Sequence, residues 1–309
     1  MNAIAVASLL AGAAAGAGGE PRQPPGDAAW LAPGADVVLF LTESPGECLR
    51  APGDPEQGYL VEVGRAAFRS PLLLGGQAAR SGLSCNACHR DGRDNPAFFL
   101  EGLSDAPGSA DVTSSIFSAV RDDGAFNPRP IPSLVDLPEK PHEEGEAGLH
   151  AFIASAIVDE FQGARPPPAV IRGLTAYVAH LDSAACSRKP APQTVTGDLQ
   201  TAERTLAAAA TALARGDGAT AGFLLLAAQN QLGRVHERFP GDREARLRLE
   251  SLSRGVGALR ERIDDDLALT PAGIAEKRLE TQSLARFLHK RRGKSLYDAK
   301  ALARWLAGD

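Results

Sequence analysis

Apolar residues recur three and four positions apart in several stretches of this chain, which is the spacing of one helix face. Leu60, Val63, Ala67 and Phe68 predict a helix over 57–69. Leu149, Phe152, Ile153, Ala156, Ile157 and Phe161 form a second stripe beginning at Glu146, which Gly163 and the prolines at 166–168 end. A third helix over 169–181 turns Leu174, Tyr177, Val178 and Leu181 inward. Beyond a linker at 190–197 proline nearly disappears and two long stripes follow: Leu199, Ala202, Leu206, Ala209 and Leu213, then Leu249, Leu252, Val256, Leu259, Ile263 and Leu267. Gly216-Asp217-Gly218, Pro240-Gly241-Asp242 and Thr270-Pro271 punctuate this part into about four helices, with a short fifth over 296–306. Short connections make neighbours antiparallel, so 198–309 reads as a helical bundle or a set of helical hairpins. The fold class is mainly α.

Two stretches lack this periodicity. Residues 20–54 read as an extended lead, and 90–145 are dense in Gly, Pro, Asp and Ser. A long irregular segment inside a compact domain usually has a function, and wrapping a large planar cofactor is one. The chain has 309 residues, 44% hydrophobic and 23% charged, with a net charge of −5. That composition excludes wholesale disorder and a polytopic membrane protein, and it argues against nucleic-acid binding. Charge is divided unevenly. Residues 1–190 hold 14 basic and 23 acidic side chains, and the rest hold 19 and 15. An acidic first part suits a basic partner protein.

The apolar run at 4–17, with Ala15-Gly16-Ala17 before a polar, Pro-rich stretch, has the make-up of a signal peptide over 1–19, although no basic residue precedes it. It is short for a membrane span, so the expectation is an exported, periplasmic protein with no span in the mature chain.

Cys85-Asn86-Ala87-Cys88-His89 is the CxxCH signature of covalent haem attachment. Two thiols that add to two vinyl groups must lie on the same side of one turn, and the next residue offers an imidazole to the iron. Zinc would need two further ligands at close spacing, and no second CxxC or CxxH follows. A thioredoxin-like site needs a βαβ context, and none is visible. Of four cysteines, Cys48 and Cys186 remain. They flank the motif, and in an oxidising compartment they would close a disulfide.

Gly64-Arg65-Ala66-Ala67-Phe68, a Leu/Gly-rich loop and Leu83-Ser84 leading into the motif resemble the haem domains of bacterial di-haem cytochrome c peroxidases. So do the stretches 127–134 (NPRPIPSL), 160–163 (EFQG) and 173–178 (GLTAYV). The resemblance spans about 55–183. It implies a cytochrome c-like haem domain with long loops over 55–189, followed by the helical domain over 198–309. The departures are specific. There is one CxxCH, so one covalent haem c, and the only methionine is Met1, which removes the family's usual Met ligand. His89 is then the proximal ligand, and His142, in a loop before a helix, is the first choice for the distal one. His150, His180 and no protein ligand are the alternatives. An open iron would call for an acid such as Glu143 or Glu144 nearby. Arg65, Arg90, Arg93, Arg121 and Arg129 are candidates to meet haem propionates, while His236 and His289 read as exposed helix residues. The basic run 290–294 reads as a solvated turn that complements a helix dipole, with an anionic partner as the minor option. The expected function is electron transfer by an exported mono-haem c-type cytochrome. A peroxidase-like enzyme and a haem-stapled binding module are the alternatives.

Overall fold

The computed structural model describes residues 22–118, 120–136, 145–263 and 270–308. The expected signal peptide over 1–19, and His142, Glu143 and Glu144, lie outside the described residues. The chain is mainly helical. Its first part carries α1 (Val37–Thr42), α2 (Pro55–Phe68), α3 (Gly76–Arg80), α4 (Cys85–Cys88), α5 (Gly145–Ser155) and α6 (Pro168–Ala179). Its second part carries α7 (Val195–Ala214), α8 (Gly218–Glu237), α9 (Arg243–Glu261), α10 (Thr270–His289) and α11 (Ala299–Ala307). Two antiparallel two-residue pairings complete it. One joins β1 (Glu43–Ser44) to β4 (Ala191–Pro192), and the other joins β2 (Ser109–Ala110) to β3 (Arg129–Pro130).

Local chemistry fixes where the helices begin. Asp54 accepts a bond from the Gln57 N–H, and Pro55 supplies a preset φ at the first helical position. Thr194, Asp217, Asp242 and Asp298 cap α7, α8, α9 and α11 in the same way. Because Thr194 caps it, α7 starts at Val195, inside the expected linker at 190–197. The rest of that linker is also ordered, since Ala191 and Pro192 pair with β1 and the Gln193 N–H donates to Thr42 O.

The helices α2 and α6 pack against each other most closely where Gly64 meets Gly173. A Cβ on Gly64 would stand 1.9 Å from Gly173 O, and one on Gly173 would stand 2.8 Å from Gly64 N. Beside this contact Phe68 and Tyr177 meet ring to ring at 5.1 Å. In the second part α7 packs on α8 and α10, and α9 packs on α8 and α10. A continuous apolar core runs through both parts, from Trp30 and Val63 through Tyr177 to Leu206, Leu252 and Tyr297.

Two expectations change. Residues 20–54 are not an extended lead, because Ala28 and Leu41 are buried with Leu296 and Leu302 from the far end of the chain. Their partners lie some 250 residues away in sequence, beyond the reach of any periodicity. Arg238, buried to 2% exposure, holds this arrangement by donating to Leu41 O, Leu296 O and Gln193 Oε1. Phe152 is 52% exposed although the stripe turned it inward. Leu149 is buried and Ile153 packs on the core, so Phe152 sits at the margin of the buried face. After Ser155 the helix changes to π winding over Ala156–Glu160, which breaks the 3.6-residue count.

Replacing Gly64 with Ala is expected to cost about 3 kcal/mol in urea unfolding, since backbone faces the new methyl. Gly58→Ala, in the same helix with nothing within 4 Å, is expected to gain about 0.5–1 kcal/mol. Equal unfolding midpoints for the two variants would refute the crossing as a constraint.

Candidate functional site

The loop after α3 delivers Leu83, buried, and Ser84, extended, into the single turn of α4. Cys85 and Cys88 stand three residues apart on it and so share a face. Both are free thiols, half-buried and packed against the core. Burial pushes each thiol up to about 12, and for Cys88 the neighbouring Cys85 adds to the effect. His89 ends the turn, its N–H donating to Cys85 O. Its Nδ1 lies 3.0 Å from Pro132 O. Burial pulls the imidazole down to about 4, against the opposing pull of the Pro132 carbonyl and Asp94. The ring is therefore neutral at pH 7, with Nδ1–H donated to Pro132 O and the Nε2 lone pair left as the free base. Among the described residues no three His, Cys, Asp or Glu side chains converge as a metal cluster would.

Bonds from outside the motif hold this turn. Asn86 Oδ1 accepts from the Asp91 N–H at 3.0 Å, and Asn95 Nδ2 donates to Ala87 O at 2.8 Å. Asp91 and Gly92 both have positive φ, and Gly92 abuts Leu181 so closely that a Cβ would stand 2.5 Å from it. The Leu134 N–H donates to Gly92 O, which keeps the Pro132 segment beside His89. The Asp91 carboxylate takes Ser44 Oγ and Arg69 Nη2 at 2.5 and 2.8 Å. Arg69 also contacts Glu47 at 2.6 Å, and Glu47 in turn holds Arg65 at 2.6 Å and Tyr177 Oη at 3.0 Å. A relay of charge-assisted bonds thus runs from the crossing of α2 and α6 to the motif.

Cys48 and Cys186 form the disulfide. The Asp182 N–H donates to Cys48 O and the Arg50 N–H to His180 O, so the bridge closes a seam that is already paired. His180 is buried with Nδ1 2.7 Å from Ala176 O, spent on the end of its own helix. His150 is half-buried on α5. His236 lies 2.9 Å from Glu250, and His289 is exposed near Thr196 and Arg292. Four of the five arginines weighed for propionates have partners within the protein. Arg65 pairs with Glu47 and Glu62, Arg90 donates to Phe40 O and Glu43 O, Arg93 reaches Pro45 O, and Arg121 pairs with Glu160. Arg129 is exposed on β3.

Two features have no signature in the sequence. The first is Glu47, an acid with no motif around it. The second is a polar cavity of about 510 Å³ beside Asn86 and Ala87, to which α7 and α8 contribute Arg204, Asn230 and Arg234. Ion pairs cross between the two parts at Asp27–Arg234 (2.9 Å) and Glu56–Arg215 (2.6 Å). A group of exposed apolar side chains lies apart from this cavity. Ile116, Val120, Phe126 and Phe152 are large, apolar and exposed. The segments bearing Ile116, Val120 and Phe152 are tied together by Arg121 to Ser155 Oγ and by Ser118 Oγ to Asp159 O.

Burial alone would raise the Glu47 carboxyl, but Arg69, Arg65 and Tyr177 outweigh it and bring it down to about 2 from 4.5. A carboxylate with a depressed folded pKa stabilises the fold above the unfolded value, and that contribution disappears as pH falls through the folded one. The expected loss between pH 4.5 and 2 is about 3 kcal/mol. Urea titrations across this range should show a steeper loss for the parent than for Glu47→Gln, which has no proton to take up there. Parallel losses would show that Glu47 is not the group responsible. Comparison with protein-family models, with curated proteins and with solved structures finds no match for this chain.

Proposed function

We propose that this chain is an exported mono-haem c-type cytochrome that carries electrons. The observation that carries the reading is the pairing of Cys85 and Cys88 on one turn with a neutral His89 oriented through Nδ1 by Pro132 O. The donor set fits covalent haem c: two thiols on one face of a turn, packed against the apolar core, and one imidazole with Nε2 free. When bound, the haem supplies a one-electron iron couple. The chain's own part is to fix the imidazole and brace the turn. Pro132 O selects the tautomer and holds the ring angle, which raises the basicity of Nε2. Asn86, Asn95 and the Arg69–Asp91 pair keep the turn rigid, and a rigid site reorganises little between oxidation states.

Residues 55–189 are read as a cytochrome c-like domain, in line with the resemblance noted above. What supports this is the close crossing of α2 and α6 with the CxxCH turn lying between them in sequence. A disulfide suits an oxidising compartment and so agrees with export. No described helix is long and apolar enough to cross a membrane. His142 is retained as the distal ligand, which would close the iron and favour electron transfer over peroxide chemistry.

Replacing Cys85 and Cys88 with Ala should abolish haem staining on a denaturing gel, and persistent stain would overturn the assignment. The haem-loaded parent should be low-spin and indifferent to cyanide and carbon monoxide, while His142→Ala should bind both. A high-spin parent that binds cyanide would reject the closed iron and make peroxide turnover the next assay.

A further inference from the structure

The second part of the chain has its own charged feature, unconnected with the haem reading. The start of α9 and the end of α10 lie side by side. Arg291 bridges them, with Nη1 2.8 Å from Asp242 and Nη2 2.5 Å from Glu244. Arg248 and Arg291 both stand over the Phe287 ring, at 4.1 and 4.4 Å. Around this junction Arg243, Arg246, Lys290, Arg292 and Lys294 are exposed. Arg291 takes Asp242 and shares Glu244 with Arg248, and Glu250 lies against His236. Among the described residues Arg243, Lys290, Arg292 and Lys294 carry no ion pair.

Helix stability accounts for only half of this. Lys290 and Arg292 lie at the C-terminal end of α10, where cations are favoured. Arg243, Arg246 and Arg248 crowd the first turns of α9, the positive end of its dipole, where cations are disfavoured. Arg248 is held by Glu244 and Phe287 and Arg246 by His236, so Arg243 is the cation there that gains from neither dipole nor partner, and the group concentrates positive charge at one end of a molecule whose net charge is −5.

We propose that this end of the bundle is a docking surface for an acidic protein. Most of its cations are arginines, whose planar forks match carboxylates in pairs. Arg291 and Arg248, stacked on Phe287 and paired with Asp242 and Glu244, occupy the local carboxylates and leave Arg243, Lys290, Arg292 and Lys294 open to a partner's. Leu247, exposed amid them, supplies apolar contact. One such side chain is too little for insertion into a bilayer, so a protein fits better than a lipid surface.

The test measures anisotropy of a fluorescein-labelled poly-glutamate peptide against the full-length chain, with phosphatidylglycerol vesicles measured in parallel. One variant carries Arg243→Glu, Lys290→Glu and Arg292→Glu. A second carries Arg50→Glu, Arg172→Glu and Arg188→Glu, exposed elsewhere, for the same net charge. The parent and the second variant should bind the peptide saturably, more weakly as salt rises. The first variant should lose about tenfold or more in affinity while keeping the parent's helical circular dichroism at the assay temperature. Equal losses in the two variants, no saturable binding by the parent, or binding to vesicles but not peptide would each overturn the proposal.

Discussion

The contact between Gly64 and Gly173 sets the geometry from which the site is hung. Two helix backbones meet there without side chains between them, and no other residue pair would allow it. The approach brings Phe68 onto Tyr177 and places the Tyr177 hydroxyl on Glu47. Glu47 then holds Arg69, Arg69 holds Asp91, and Asp91 closes the loop behind the motif through Asn86. Spread α2 and α6 apart and each link in that series moves with them. Just past the C-terminal end of α6, the disulfide and the Leu49–Leu181 bridge fasten the segment that carries Glu47.

A buried carboxylate is tolerable only where the gain from its partners exceeds the desolvation cost. Glu47 meets that condition by accepting from two guanidinium groups and one hydroxyl. Arg238 meets it differently, spreading one buried charge over two carbonyls, an amide oxygen and the more distant Asp27. These two groups do different work. Glu47 stiffens the side that carries the CxxCH turn, while Arg238 pins the N-terminal segment, the 190–197 connection and the C-terminal tail to one point. That is why the two parts share a core instead of behaving as beads on a linker.

The helices and the CxxCH motif were legible in the sequence because both are local. A stripe with a period of 3.6 residues or a five-residue signature needs no knowledge of the rest of the chain. Val195, three residues earlier than expected, and Phe152, at the margin of its stripe, show the limits of that legibility at element ends and at a change of helical winding. The N-terminal segment misled for a different reason. Val37 to Leu41 is an apolar run too short to show a period, and its partners come from α11. Glu47 and the cavity beside Asn86 were invisible because each is assembled from segments distant in sequence.

The uneven charge of the chain acquires a structural meaning from these contacts. Read by composition, an acidic first part calls for a basic partner. In the folded chain Glu56, Glu62 and Asp27 already face Arg215, Arg204 and Arg234 from the second part. The chain supplies much of that basic partner itself. Net charge also misdescribes the immediate surroundings of the motif, where Arg69 and Arg90 line the cavity wall shared with Asn86 and Ala87. Two half-buried guanidinium groups act at short range on the motif, whereas scattered surface carboxylates are damped by water and salt. The field at the site is therefore set by a few placed arginines and their partners, and the helical part takes part in setting it by closing the cavity with Arg204 and Arg234.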